Sequence, residues 1–397
     1  MTLWFTVFLT VQFLILAVWL YRHWLLAWVL KNDPSLSIDP PTELTDPPLV
    51  SVIVPARNEE ANIGRCLEGL LAQSYRRREI LVVDDRSEDA TAEVVRRYQE
   101  QHPEVRLVQI DELPPGWTGK THALARAASE ARGDWFLFVD ADTYLHEHNL
   151  ANAIAYVRRH DSDGLTLLAR AECRTFWERA LQPLLGSMLV IRFPLATVND
   201  PKRRLAFANG QYILMSRSCY RQVGGHEAVR GELLEDIAMA RRAKAQACRL
   251  TLVYGFQAAR VRMYGSFREM WRGWRRIYIH AFGRSVASLV LSILLILVFS
   301  LDPLTLTTVA GVHLVMAGGG GFWWGLFALG AAQVTAMFVV TYRMYTNLIL
   351  ADARYLPLYP LAMLVGVGIF LDAIVTLLVR RELVWRGTVY PHTLPTE

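Results

Sequence analysis

The stretch "PPLVSVIVPARNEEANIGRCLEGLLAQ", residues 47–73, changes its period in the middle. Leu49 to Val54 is a near-continuous apolar run, the pattern of a parallel strand buried on both faces. From Glu59 onward the apolar residues Ile63, Leu67, Leu70 and Leu71 fall on one helical face. Pro47 and Pro48 end the segment that precedes the strand. The alternation then repeats. "REILVVDD" (78–85) reads as a second buried strand. "SEDATAEVVRRYQEQ" (87–101) reads as a helix capped by Ser87, with Ala90, Val94, Val95 and Tyr98 facing inward. "VRLVQI" (105–110) is a third strand, "GKTHALARAASEA" (119–131) a third helix and "DWFLFVD" (134–140) a fourth strand. This order predicts an α/β domain whose parallel sheet carries helices on both sides.

Ligands bind such sheets beyond the carboxyl ends of the strands. Asp85 stands at one such end, and Asp140 and Asp142 at another. Residues i and i+2 of an extended chain share a face, so Asp140 and Asp142 converge. Two close carboxylates invite a cation or raise a pKa. An oxygen-only ligand set suits Mg2+ or Mn2+, completed by water and phosphate. "PPGWTGKT" (114–121) imitates a phosphate-binding P-loop but has Pro114 where the first glycine belongs, and it does not follow the first strand. Gly119-Lys120 nevertheless opens a helix, where free N–H groups and a lysine favour a phosphate.

The 397 residues suffice for one or two domains, and 53% of them are hydrophobic, concentrated at the two ends of the chain. Cys66, Cys173, Cys219 and Cys248 lie far apart without a C-x-x-C, which argues against a disulfide framework or a zinc site and for free thiols. Leu3 to Leu20 is apolar and long enough to span hydrocarbon. It has no basic n-region and no small-residue cleavage site, so a retained anchor is expected at 1–30, followed by a linker at 31–48. Arg22, His23 and Lys31 follow the apolar run, which directs the middle of the chain to the cytoplasm.

Beyond Ser285 the chain is apolar again, a transmembrane region over 286–380. Four spans are expected there, with Asp302-Pro303 as an outer hairpin turn and two spans plus interfacial segments as the alternative, because Arg380, Arg381 and Arg386 favour a cytoplasmic tail at 381–397 and so an even number. Asp372 sits inside the last apolar run, where a helix-packing role is favoured over a functional acid. Residues 259–285 hold seven arginines interleaved with aromatics. Beside apolar spans this predicts an interfacial helix rather than a nucleic-acid surface. "FWERALQPLLGSMLVIRFPL" (176–195) reads as a second interfacial helix or a core helix.

"SVIVPARNEE", "ILVVDDRSED", "FLFVDADT", "LLEDIAMARR" and "WRGWRRIY" occur in an order that resembles membrane-bound family 2 glycosyltransferases. The resemblance covers about 50 to 285, and "PPGWTGKTHAL" is similar to members that glycosylate hopanoid or carotenoid-like lipids. It implies an α/β catalytic domain of GT-A fold at 49–258, with a Rossmann-like, mostly parallel sheet, flanked by transmembrane helices. By the same resemblance Pro55 lines the donor pocket and Asp85 accepts hydrogen bonds from the nucleotide base. Asp140 and Asp142 are the D-x-D, Asp142 holding a divalent metal most directly. Lys120 lies near the nucleotide, and Asp236 is the general base. "RGWRR" (272–276) stands where many members have Q-x-x-R-W, so Arg272 and Arg275 face the diphosphate. Trp271 or Trp274 replaces the usual acceptor platform, and Gln211 lies on the acceptor side. His226 reads as structural rather than acceptor-binding.

The activity implied is an inverting, metal-dependent transfer from a UDP- or GDP-sugar to a membrane lipid at the cytoplasmic face of the cell membrane. A processive polysaccharide synthase and a catalytically silent scaffold of the same fold are the alternatives. No nucleic-acid partner is expected.

Overall fold

The computed structural model describes residues 3–41, 45–380, 382–385 and 388–391, with side chains up to Val379. The chain forms two compact units. The α/β unit comprises residues 33–172 and 190–263; the helical unit comprises 1–32, 173–189 and 264–397.

Chain order gives α1 (Leu3–Asn32), β1 (Val50–Ala56), α2 (Ile63–Leu71), β2 (Arg78–Asp85), α3 (Thr91–Gln101), β3 (Val105–Ile110), α4 (Gly119–Glu130) and β4 (Trp135–Val139). Then follow β5 (Thr143–Leu145), α5 (Asn149–Arg159), β6 (Gly164–Ala171), α6 (Phe176–Arg192), α7 (Leu195–Asn199), β7 (Tyr212–Ser216), α8 (Arg217–Gln222), α9 (Glu235–Ala245) and β8 (Leu250–Val261). The last helices are α10 (Phe267–Ala281), α11 (Val286–Ile296), α12 (Asp302–Ala317), α13 (Gly321–Arg343) and α14 (Tyr359–Val375).

The eight strands form one sheet in the order β3-β2-β1-β4-β7-β6-β8-β5. β3, β2, β1 and β4 are parallel, as the alternating sequence pattern predicts. The second half is mixed: β7 runs antiparallel to both β4 and β6, and β5 antiparallel to β8. Along β1 the side chains alternate between two cores. Val50, Val52 and Val54 meet α2, α3 and α5 on one face, while Ile53 meets α4 and α9 on the other. Each fully buried aliphatic side chain of this kind contributes about 1.5–3 kcal/mol. Parallel pairing puts the carboxyl ends of β1, β2 and β4 on one edge, where the acids lie.

Two local readings need correction. Ser87 does not cap α3; its hydroxyl takes the Asn58 N–H, and the helix starts at Thr91, whose N–H is met by Asp89. Ala90 is accordingly exposed. The interfacial segment begins later than residue 259, because 259–261 complete β8 and pair with β5. The linker after α1 is also not free. Leu36 is buried in the sheet's core, and its N–H meets the Tyr254 carbonyl at 2.8 Å.

Among the described residues five helical runs are long and apolar enough to cross a membrane: Leu3–Asn32, Phe176–Asn199, Val286–Ala317, Gly321–Leu348 and Ala353–Val379. Three of them follow residue 285, not four. The expected hairpin at Asp302-Pro303 is instead interior to one run, crossed by a π-helical turn at Leu297–Leu301. The physical reason is a substitution of donors. Proline lacks the N–H that would bond the carbonyl four residues back. That carbonyl, Phe299, accepts from the Trp19 indole N–H at 2.9 Å, and Gln12 of α1 donates to Asp302 at 2.9 Å. Gln333 of α13 closes the cluster on Gln12. Two residues that read locally as a break are thus held helical by α1. Arg381, Arg386 and the Arg380 side chain fall outside the described residues.

Candidate active site

Four chain segments build the site at the carboxyl edge of the sheet in the α/β unit. β2 ends in Asp85, β4 hands over to Asp140, α4 begins at Gly119-Lys120, and α9 begins at Glu235-Asp236. The α4 terminus is fixed by a capping box between Thr118 and Thr121, both of which also bond the Arg230 carbonyl. This helix follows β3, and its start is a capped turn rather than a P-loop.

Lys120 is the centre of the cluster. Its ammonium lies 2.7 Å from Asp140 Oδ1 and 2.8 Å from Glu235 Oε1. Burial disfavours the charged lysine, but Asp140 and then Glu235 outweigh it, and the Lys120 pKa is raised. Asp236 stands beside this pair. One carboxylate oxygen accepts from the Gly210 N–H at 2.8 Å and the other from the Ile237 N–H at 2.7 Å. Burial, then the Glu235 charge, push its pKa up to about 7 against the opposing pull of Lys120 and the two N–H groups. A carboxylate poised there takes up and releases a proton near neutral pH.

Gly210 lies against the cluster with little room for a side chain. A Cβ there would stand 3.0 Å from Asp236, 3.1 Å from the Lys120 nitrogen and 3.2 Å from Glu235. Gln211 follows it. Its carbonyl receives the Asp140 N–H at 3.4 Å and its side-chain oxygen the Asn209 amide at 3.1 Å, so it steadies the strand end that carries Asp140. Asp142 begins the turn into β5, its carbonyl accepting from the Arg262 N–H. The Cys66 thiol, which donates to the Asp140 carbonyl, is pushed up by burial, then by the charges of Asp142 and Asp140.

Asp85 is buried, and Arg86 donates to both of its oxygens at 2.8 and 3.3 Å. A Cβ at Gly119 would stand 2.2 Å from Asp85 Oδ2, so the carboxylate lies against the first residue of α4, where a helix favours negative charge. Gly119→Ala should therefore displace Asp85 and cost about 1–3 kcal/mol, the range of an overpacked site. Thermal unfolding and nucleotide binding measured on the same variant check this. Unchanged values in both would refute it. Pro55 is half-buried near the end of β1, opposite Val83 of β2. His226 is buried and bonded to the Tyr220 hydroxyl at 3.0 Å, and burial, then Lys120, hold its pKa down at about 3. That is a structural histidine, as its sequence context implies.

The structure thus brings Lys120, Asp140, Gln211 and Asp236 together and adds Gly210, and it gives Glu235, in the sequence only an alternative base, a place on Lys120. The adjacent acids of "LLED" and the glycine of "FANGQ" were the available signals. The remaining candidates belong to the helical unit. Trp271 donates to Asp372 at 2.8 Å, and Arg275 pairs with the same carboxylate oxygen at 3.0 Å. Asp372 therefore has the packing role that its place in an apolar helix favours. Trp274 is 2% exposed and packs on Tyr278, so it offers no open face as an acceptor platform, whereas Trp271 is half-buried and Arg272 exposed.

Asp140 and Asp142 supply oxygen donors of the kind a hard divalent cation takes. Lys120 shows that Asp140 and its surroundings already stabilise a positive charge. Among the described residues no group of three or more His, Cys, Asp and Glu could hold a metal. Two carboxylates with substrate phosphates and water are the usual arrangement for Mg2+.

The family model described as Glycosyltransferase like family 2 matches residues 47–273. Over 229 residues the chain is 27% identical to a 4,4'-diaponeurosporenoate glycosyltransferase of Staphylococcus aureus (strain USA300), a match covering 57% of this chain and 60% of that protein. The chain thus spans less than two thirds of the length of this curated relative. Among solved structures, a mannosyltransferase from Pyrobaculum calidifontis in complex with GDP-Man and Mn2+ superposes with a TM-score of 0.51. That match is 20% identical and covers 94% of this chain and 99% of the other. At that identity it speaks to the GT-A fold alone.

Proposed function

The chain belongs to Glycosyltransferase like family 2, and from that premise we propose that it transfers a sugar from a UDP- or GDP-sugar to the hydroxyl of a polyisoprenoid, hopanoid or carotenoid-like membrane lipid. The observation that carries this reading is the meeting of Lys120, Asp140, Glu235 and Asp236 at the sheet edge. A diphosphate leaving group needs positive charge, and an attacking hydroxyl needs a base. The site provides a lysine for the first and a carboxylate near neutral pKa for the second.

In the transfer the acceptor oxygen bonds to the anomeric carbon while its proton passes to Asp236. The bond from that carbon to the phosphate oxygen breaks, and the nucleoside diphosphate leaves with the electron pair. Attack opposite the leaving group inverts the anomeric centre. Asp85 receives the base, and Pro55 packs beside it. Lys120 meets the departing phosphates, and Gln211 lies on the acceptor side. A divalent ion held by Asp140 and Asp142 would supply charge neutralisation of the diphosphate. Arg22, His23 and Lys31 after the first apolar run support a cytoplasmic catalytic face in the cell membrane.

Membranes containing the protein, incubated with labelled UDP- and GDP-sugars and a total lipid extract, test the proposal. The expected product is a lipid enlarged by one sugar residue on mass spectrometry. Label recovered in a polymer, or none in any lipid, would refute it.

A further inference from the structure

Lys120, Asp140 and Glu235 come from three elements separated by up to 115 positions, yet they converge on one nitrogen. The Lys120 side chain is 17% exposed and that of Glu235 only 7%. Buried charges persist only when paired, and here one ammonium neutralises part of each of two acids. The arrangement has a consequence for Asp140. The oxygen that faces Lys120 belongs to the carboxylate of the D-x-D. A monovalent and a divalent cation on the same carboxylate repel each other strongly at such distances. An ion arriving alone finds Asp140 already neutralised. An ion arriving with a diphosphate does not, because the phosphate oxygens offer the ammonium another anion within the same cluster.

We propose that Lys120 acts as an internal counter-ion. In the donor-free protein it holds Asp140 and Glu235, and it moves onto the diphosphate only as the divalent ion and the nucleotide enter together. The ion therefore binds weakly by itself, and nucleotide and ion bind as a cooperative pair. This rests on the metal reading of Asp140 and Asp142.

The test is Mn2+ binding to the full chain in detergent, followed by the electron paramagnetic resonance signal of free Mn2+, with and without UDP or GDP. Wild type should bind Mn2+ weakly alone and much more tightly with a nucleoside diphosphate. Lys120→Met removes the competing charge. It should bind Mn2+ alone roughly tenfold more tightly than wild type or better, with a smaller gain from nucleotide. Lys120→Arg keeps a cation and should remain weak. Misfolding lowers affinity, so a gain cannot come from damage. Affinity of Lys120→Met for Mn2+ alone that is equal to or below wild type overturns the proposal. Asp142→Asn separates the two levels of the argument. Loss of Mn2+ binding there confirms that the signal reports this site, whereas unchanged binding overturns the metal reading itself.

Discussion

Asp236→Asn should lower kcat by roughly 10²–10⁴-fold, the range usual for loss of a general base, while donor affinity stays near wild type. Asparagine keeps the size of the side chain and accepts one of the two backbone hydrogen bonds, from Gly210 or Ile237. It cannot take a proton. A base is needed only when the acceptor attacks, so the loss acts on the transition state rather than on the bound donor. The raised pKa gives a second signature. Asp236 titrates at about 7 and acts as a base only when ionised. At limiting donor, kcat/KM should be level above that pH and fall about tenfold per unit below it. A profile that stays flat well below pH 7 would remove Asp236 from the role. Near-normal turnover of the asparagine variant would mean that the acceptor arrives already ionised, as a carboxylate does, or that Glu235 serves despite its bond to Lys120.

Asp142→Asn should fail differently. It removes a proposed metal ligand, so binding and turnover fall together. Donor affinity should drop by more than the roughly 10–100-fold that losing an outer-shell partner of a metal costs. Excess chelator should abolish turnover of the wild type, and Mn2+ or Mg2+ should restore it. The contrast is read most directly by titrating the nucleotide sugar without acceptor: Asp236→Asn binds, Asp142→Asn does not. Full activity in excess chelator would sink the metal role.

These acids were legible before any coordinates because strand periodicity and sheet-edge logic are local. Asp85, Asp140 and Asp142 each follow an apolar run, and a parallel sheet gathers such ends on one edge. The first four strands were legible for the same reason. What the sequence hid is non-local. Nothing near Lys120 announces Glu235, and Gly210 matters only because three charged side chains crowd the place of its absent Cβ. Ser87 follows the helix-cap pattern but is taken by Asn58, a partner 29 positions away. Asp302-Pro303 has every local sign of a turn, and Trp19 and Gln12 overrule it from a distant helix.

The interruption of the α/β unit by residues 173–189 has a consequence for biosynthesis. As the chain leaves the ribosome, β4 has β1 beside it at once, but its other neighbour, β7, is not yet made. The apolar run Phe176–Asn199, long enough to cross a membrane, emerges first. Until β7 and β8 follow, the nascent half-sheet carries an open edge, the feature that most invites wrong pairing. Gly210 and Asp236 are also still to come, so a chain halted after Asn199 lacks the acid and the glycine that complete the Lys120 cluster. This apolar run is thus made before the Lys120 cluster is complete. The α/β unit is therefore not isolated by trimming the two ends of the chain. Freeing the unit of its insertion also requires a linker from residue 172 to residue 190.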